Sequence, residues 1–123
     1  MKSKCTAVLL ALVLLGGCAA RHPGSANQFD SSSYDTLIVA HSVIETTKAD
    51  LAANKFPPQN VGNVKTALNN LIQTYNVADT AYQSYHSAAV AGTATTAQQA
   101  SLTTALANVT AATTTLNSAK VAQ

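Results

Sequence analysis

Hydrophobic residues in the middle of the chain recur alternately three and four residues apart, which is the spacing of one face of an α-helix. The positions that carry this pattern are Val61, Val64, Leu68, Leu71, Tyr75, Ala78, Tyr82, Tyr85 and Ala89. The run spans about four heptads, as in the seam of a coiled coil. It predicts one long helix over residues 59–90, with Pro57 and Pro58 at its start, where a missing N–H costs little.

A seven-residue apolar repeat precedes this segment. It consists of Leu37, Ile44 and Leu51. The repeat predicts a helix over residues 33–54, one stripe of which faces a core. Asp30 and the serines at 31–33 are of the types that accept hydrogen bonds from a first helical turn, so we expect the N-cap among them.

A second seven-residue repeat follows the central segment. It consists of Leu102, Val109 and Leu116, with alanines at positions 105, 112 and 119. The repeat predicts a helix over residues 95–121, despite many threonines that favour strands by propensity. Gly92 is typical of a helix end, and Thr95 or Thr96 of an N-cap.

These patterns together predict an all-α fold, an elongated antiparallel three-helix bundle over residues 34–123. The connections between the predicted helices are short, which favours antiparallel neighbours. A helical hairpin or a coiled-coil oligomer is the alternative, because the heptad spacing also suits packing between chains.

The N-terminus has a different pattern. Two lysines, Lys2 and Lys4, precede an apolar run over residues 5–15, and two glycines and Cys18 follow. This order is typical of a secretion signal. The apolar run is too short for a comfortable transmembrane helix, which needs about 20 apolar residues.

The segment Leu15-Gly16-Gly17-Cys18 resembles the lipobox of bacterial lipoproteins. The resemblance implies cleavage between Gly17 and Cys18, removal of residues 1–17, a diacylglyceryl group on the Cys18 thiol, and acyl chains such as palmitate that anchor the protein in the membrane. Ala19, in place of an aspartate, resembles lipoproteins that enteric-type bacteria pass to the outer membrane, facing the periplasm. An ordinary signal ending near Ala20 and an uncleaved anchor are the alternatives.

Residues 18–33 are rich in Gly, Ser, Asn and Pro and show no apolar periodicity. This composition predicts a flexible tether between the lipid and the bundle. A chain of about fifteen flexible residues has a typical end-to-end distance of roughly 20 Å. The bundle is therefore expected to stand just clear of the lipid head groups.

Charge argues against a nucleic-acid partner. Of the seven basic residues, Lys2 and Lys4 lie in the segment to be removed, which leaves five against five acidic residues. The remaining lysines and Arg21 are scattered, whereas phosphate binding needs clustered basic side chains. Removal of Cys5 leaves Cys18 as the single cysteine, so no internal disulfide is expected.

Catalytic motifs are missing from the sequence. It contains no G-x-S-x-G, no Walker loop and no G-x-G-x-x-G. His41 and Glu45 are four residues apart and would share a helix face, but a metal site needs a third ligand. We therefore predict a solvated surface pair, no metal site, no cofactor and no enzyme activity.

Tyr75, Tyr82 and Tyr85 lie along the leucine seam of the second predicted helix. One interpretation is core packing with the hydroxyls reaching solvent. The other is a groove beside the alanine-rich third helix, where a partner or ligand docks. The sequence leaves both open.

These inferences predict a membrane-anchored lipoprotein that acts as a non-catalytic structural or protein-interaction module of the cell envelope. Its partners would be the membrane, through acylated Cys18, and either another envelope protein or a second copy, through the helices. The alternative is an envelope lipoprotein that binds a small ligand at Tyr75, Tyr82 and Tyr85, or a metal at His41 and Glu45.

Overall fold

A computed structural model describes residues 22–122, so the proposed signal peptide, Cys18 and the first residues after it lie outside the described part. Three helices are present: α1 (Gln28–Ala52), α2 (Pro58–Val90) and α3 (Thr96–Val121). They pack against one another in all three pairs. The predicted all-α three-helix bundle is confirmed.

Contacts at the two ends of the bundle show that the helices are antiparallel. Near one end, Asp30 at the start of α1 contacts His86 at the end of α2. Near the other end, the side-chain amide of Asn60 at the start of α2 donates to the carbonyl of Ala122, just after α3. The chain therefore runs up, down and up through the bundle.

The core is built mainly from the predicted heptad positions. Val64, Leu71, Leu102 and Leu116 are completely buried. Full burial of one such side chain stabilises a fold by about 1.5–3 kcal/mol. Helices α2 and α3 share the most extensive contact, where the buried small side chains of α3, Ala105 and Ala112, permit close approach.

Helix α1 begins earlier than predicted. Its N-cap is Asn27, whose side-chain oxygen accepts a hydrogen bond from the Asp30 amide at 2.9 Å. The expected caps, Asp30 and the serines at 31–33, lie inside the helix, so that prediction was wrong, and residues 28–33 belong to α1 rather than to a tether. Asp30, Ser31 and Ser33 are buried. Because these residues are polar, the apolar pattern of the sequence does not show that the buried stripe of α1 continues through them.

The ends of the other helices follow their sequence signals. Pro58 is the first residue of α2, and Gly92, in the left-handed region at φ +74°, follows its end. Thr95 is the N-cap of α3, as expected, and it forms a reciprocal capping box with Gln98. Among residues 22–122, no helix has both the length and the hydropathy that a membrane crossing requires.

Candidate functional site

A groove of about 400 Å³ lies at the end of the bundle where α1 begins and α2 ends. We call it the histidine–tyrosine groove. It is lined by His22, Pro23, Gly24, Ser25, Tyr34, Tyr82 and His86. It is open to solvent, and three separate stretches of the chain build it.

The segment that precedes α1 forms one wall of the groove because it folds back on the helix. The His22 amide donates to Ser31 Oγ at 3.1 Å, and the His22 ring pairs through Nε2 with Asp35. A turn follows, in which the Ser25 amide donates to the His22 carbonyl at 3.1 Å and Gly24 has a φ of +87°. Residues 22–25 are thus fixed to the first turns of α1.

Four rings form a continuous row along the groove. The centroid of His22 lies 5.2 Å from that of Tyr34, and Tyr34 lies 6.1 Å from Tyr82. Tyr82 in turn stacks on His86 at 5.5 Å, with 26° between the two planes. The row therefore joins the pre-helical segment, α1 and α2 through aromatic contacts.

Behind this row lies a buried carboxylate. Asp30 is completely buried, and its Oδ2 lies 2.8 Å from His86 Nδ1 and accepts a 2.8 Å hydrogen bond from the Ala26 amide. Its other oxygen, Oδ1, has no hydrogen-bond partner among residues 22–122. Burial of a carboxylate whose second oxygen lacks a hydrogen-bond partner destabilises the folded state, and such groups are uncommon in native proteins.

The surroundings of Tyr82 raise the pKa of its hydroxyl. Burial raises the pKa of its hydroxyl to about 12, and the negative charge of Asp30 contributes in the same direction. Burial, followed by the charge of Asp79, also raises the pKa of Tyr75. Tyr75 and Tyr82 therefore remain neutral phenols at ordinary pH.

Charges are separated along the bundle. Asp30, Asp35 and Asp79 lie in the half that carries the groove. The lysines of the described residues all belong to the opposite half, where α1 ends, α2 begins and α3 ends: Lys48, Lys55, Lys65 and Lys120. The groove end thus carries carboxylates and none of the described lysines, whereas the opposite end carries lysines together with Glu45 and Asp50, which pair with Lys48 and Lys55.

The three tyrosines that the sequence singled out do not share one surface. Tyr82 lines the groove, and Tyr75 lies partly buried outside it, with its ring 5.9 Å from that of His41. Tyr85 belongs to the core. It is only 4% exposed, its hydroxyl accepts a 3.1 Å hydrogen bond from the Asn27 side chain, and its ring meets that of Phe29 edge-on at 5.1 Å.

His41 and Glu45 contact different residues, Tyr75 and Lys48 respectively. Glu45 bonds to Lys48 at 2.9 Å on the surface of α1, and that lysine lowers the pKa of the Glu45 carboxyl. Within residues 22–122, no group of three or more histidine, cysteine, aspartate and glutamate side chains is arranged to hold a metal ion.

Sequence reasoning missed most of the groove. His22 falls in the predicted tether, Asp30 is among the expected caps, and Tyr34 and His86 belong to no predicted site. One signal was present, because residues 30 and 33 extend the spacing of the core stripe at residues 37, 40 and 44. That spacing places Asp30 toward the core, where a carboxylate requires a partner.

No protein-family model matches the chain, and no curated protein or solved structure is significantly similar to it.

Proposed function

We propose that the chain is a membrane-anchored bacterial lipoprotein. Its three-helix bundle would serve as a non-catalytic structural or protein-interaction module of the cell envelope. The observation that carries the proposal is the Leu15-Gly16-Gly17-Cys18 segment, together with the short distance along the chain from Cys18 to the folded bundle.

That distance sets how the bundle would be held. His22 follows Cys18 by four residues and is bonded to Ser31 and Asp35 of α1. Four residues span at most about 14 Å. The groove end would therefore lie close to the lipid surface, nearer than a fifteen-residue tether allows, and the lysine-bearing end would point away from it or lie along it.

Helix α1 offers a surface for an interaction partner. It shares less contact with α2 and α3 than those two share with each other. Its outer side carries Ile38 and Val39, which are 50% and 51% exposed. Burial of two such side chains in a complex would contribute a few kcal/mol to affinity, at about 25 cal/mol per Å². Another envelope protein or a second copy would supply the covering surface.

A second candidate function is small-ligand binding at the same anchored position. The groove favours it, because its volume of about 400 Å³ lies within the range of small-molecule sites. Tyr82 is the tyrosine through which this function would operate. The metal-binding form of this alternative has less support, since Glu45 is engaged by Lys48.

Fractionation of a bacterial host that expresses the full chain tests the anchor. Cys18→Ser is the test variant, and Cys5→Ser is the matched control, because Cys5 lies in the segment to be removed. We expect the wild type and Cys5→Ser to sediment with the membranes and to partition into detergent, and Cys18→Ser to lose both properties. Equal distribution of all three proteins would refute the anchor at Cys18.

A further inference from the structure

We propose that the histidine–tyrosine groove binds an organic ammonium ion, a primary or quaternary amine carried by a small molecule or by a lipid head group. The site goes beyond the proposed function, because it stands on the geometry of residues 22–86 alone. It assigns to the groove a ligand of defined charge and chemistry.

The rings provide the first argument. Tyr34 and Tyr82 both line the groove, with ring centroids 6.1 Å apart and planes inclined at 45°. A cation within about 6 Å of a ring centroid is attracted to the negative face of the ring. Aromatic rings grouped around one groove are typical of sites for quaternary ammonium ligands, and a primary ammonium group is attracted to ring faces in the same way.

The buried carboxylate provides the second, independent argument. Asp30 lies directly behind the lining residue His86, and its Oδ1 has no hydrogen-bond partner among the described residues. Asp35 stands behind the lining residue His22. The charge of buried Asp30 is screened less by solvent than that of Asp35, whose side chain is 45% exposed. While His22 and His86 are neutral, these carboxylates give the groove a negative charge that favours a cation over a phosphate or carboxylate ligand.

No lysine of the described residues competes for this position, because all of them belong to the opposite half of the bundle. Arg21 precedes His22 in the sequence and lies outside the described residues. Because Arg21 is joined directly to His22 in the sequence, the experiment must include it as a competitor for the groove.

Two sources could supply the ammonium ion. If Cys18 is acylated, the groove end lies at the lipid surface, where ethanolamine head groups present primary ammonium groups. This source rests on the proposed function. The other source is a free small amine, and binding of a free amine requires no anchor.

The direct test titrates the purified full-length protein, in non-ionic detergent, with tetramethylammonium chloride and with ethanolamine hydrochloride. Ionic strength is held constant with sodium chloride. The readout is the NMR shift of the His86 and Tyr82 ring protons. We expect saturable shifts with both amines and none with sodium chloride. Shifts that do not saturate, or that sodium chloride reproduces, would overturn the proposal.

Variants locate the binding to the groove. Tyr82→Leu should weaken ammonium binding about five- to tenfold, since it removes one ring face. Tyr75→Leu is the matched control on the same helix and should leave affinity unchanged. Tyr34→Leu removes the other face at a partly exposed position and is the reserve if Tyr82→Leu unfolds, which circular dichroism would reveal. Equal losses in Tyr75→Leu and Tyr82→Leu would overturn the assignment.

Arg21→Ala tests the internal competitor. Unchanged or modestly tighter binding supports a site for an external amine, whereas binding that is detectable only in Arg21→Ala overturns it, because the chain itself then fills the groove. Cys18→Ser tests whether amine binding in the groove depends on the lipid anchor. It should bind free ethanolamine with wild-type affinity whether or not the anchor proposal holds.

Vesicles distinguish the sources. The acylated protein is reconstituted with phosphatidylglycerol alone or with added phosphatidylethanolamine. Weaker ethanolamine binding in the second mixture assigns the site to the lipid head group, and equal binding in both assigns it to a free amine. Both outcomes support an ammonium site, provided that Tyr82→Leu weakens binding about five- to tenfold, and wild-type affinity in that variant overturns it.

Discussion

His86 Nδ1 lies 2.8 Å from Asp30 Oδ2, across 56 residues of sequence. The contact joins the first turn of α1 to the end of α2. In this pair Asp30 is completely buried, whereas His86 is partly exposed. It fixes the orientation of a ring that lines the histidine–tyrosine groove. The stability of this end of the bundle and the shape of the groove therefore depend on the same pair.

Asp30→Ala should destabilise the bundle by about 2–4 kcal/mol, because it leaves the Ala26 amide and the His86 ring without their partner. Urea denaturation followed by circular dichroism measures the change in the free energy of unfolding. Asp35→Asn is the control. Its carboxylate is 45% exposed and pairs with His22 at the surface, so its loss should cost at most about 1 kcal/mol. Equal effects of the two substitutions would show that burial does not distinguish these carboxylates.

Leu71→Ala should cost about 2–5 kcal/mol, since Leu71 is completely buried in the core and truncation leaves a cavity. Val77→Ala, six residues further along α2 at a position that is 64% exposed, should change the free energy of unfolding by less than about 0.5 kcal/mol. Thermal and urea unfolding of both variants measure the difference. A large effect of Val77→Ala would indicate that this face is covered in solution.

Tyr82 should make the fold sensitive to alkaline pH. Burial and the charge of Asp30 raise its pKa from 10.0 to about 12, so the folded state favours the neutral phenol. The resulting stability is fully present below pH 10, where the unfolded chain also holds its proton, and is lost as the pH rises toward 12.

The matched variant for this effect is Tyr82→Phe, which keeps the ring and removes the ionisable group. Between pH 10 and about 12 we expect the wild type to lose on the order of 1 kcal/mol more stability than the variant, after allowance for solvent screening at a partly exposed ring. Melting temperatures across that pH range, together with tyrosinate absorbance, measure it. Parallel losses in both proteins would contradict a raised pKa at this residue.

The helices could be predicted from sequence because their signals are local and repeated. Leu102, Val109 and Leu116 mark the buried side of α3 at seven-residue intervals, and Thr95 and Gln98 mark its start with a capping box. Each signal lies within a turn or two of the structure that it specifies. The bundle itself then follows from three apolar stripes and two short connections.

The start of α1 and the groove could not be predicted in the same way. Asn27 is recognised as a cap only when Asp30 is placed inside the helix, and Asp30 is acceptable there only because His86 meets it. Asn27 likewise bonds to Tyr85, 58 residues away. Such partners become neighbours only in the antiparallel bundle, so no local pattern contains them. A polar residue on an apolar stripe is nevertheless a signal that a distant partner exists.

The most direct test of the account is the intact mass of the protein purified from the membranes of a bacterial host that expresses the full chain. The lipoprotein proposal predicts a mature chain that begins at Cys18, lacks residues 1–17 and carries the added mass of a diacylglyceryl group, with or without a further acyl chain. An unmodified mass, or a chain that is cut at another position or retains residues 1–17, would contradict the anchor and require the bundle to be explained without it.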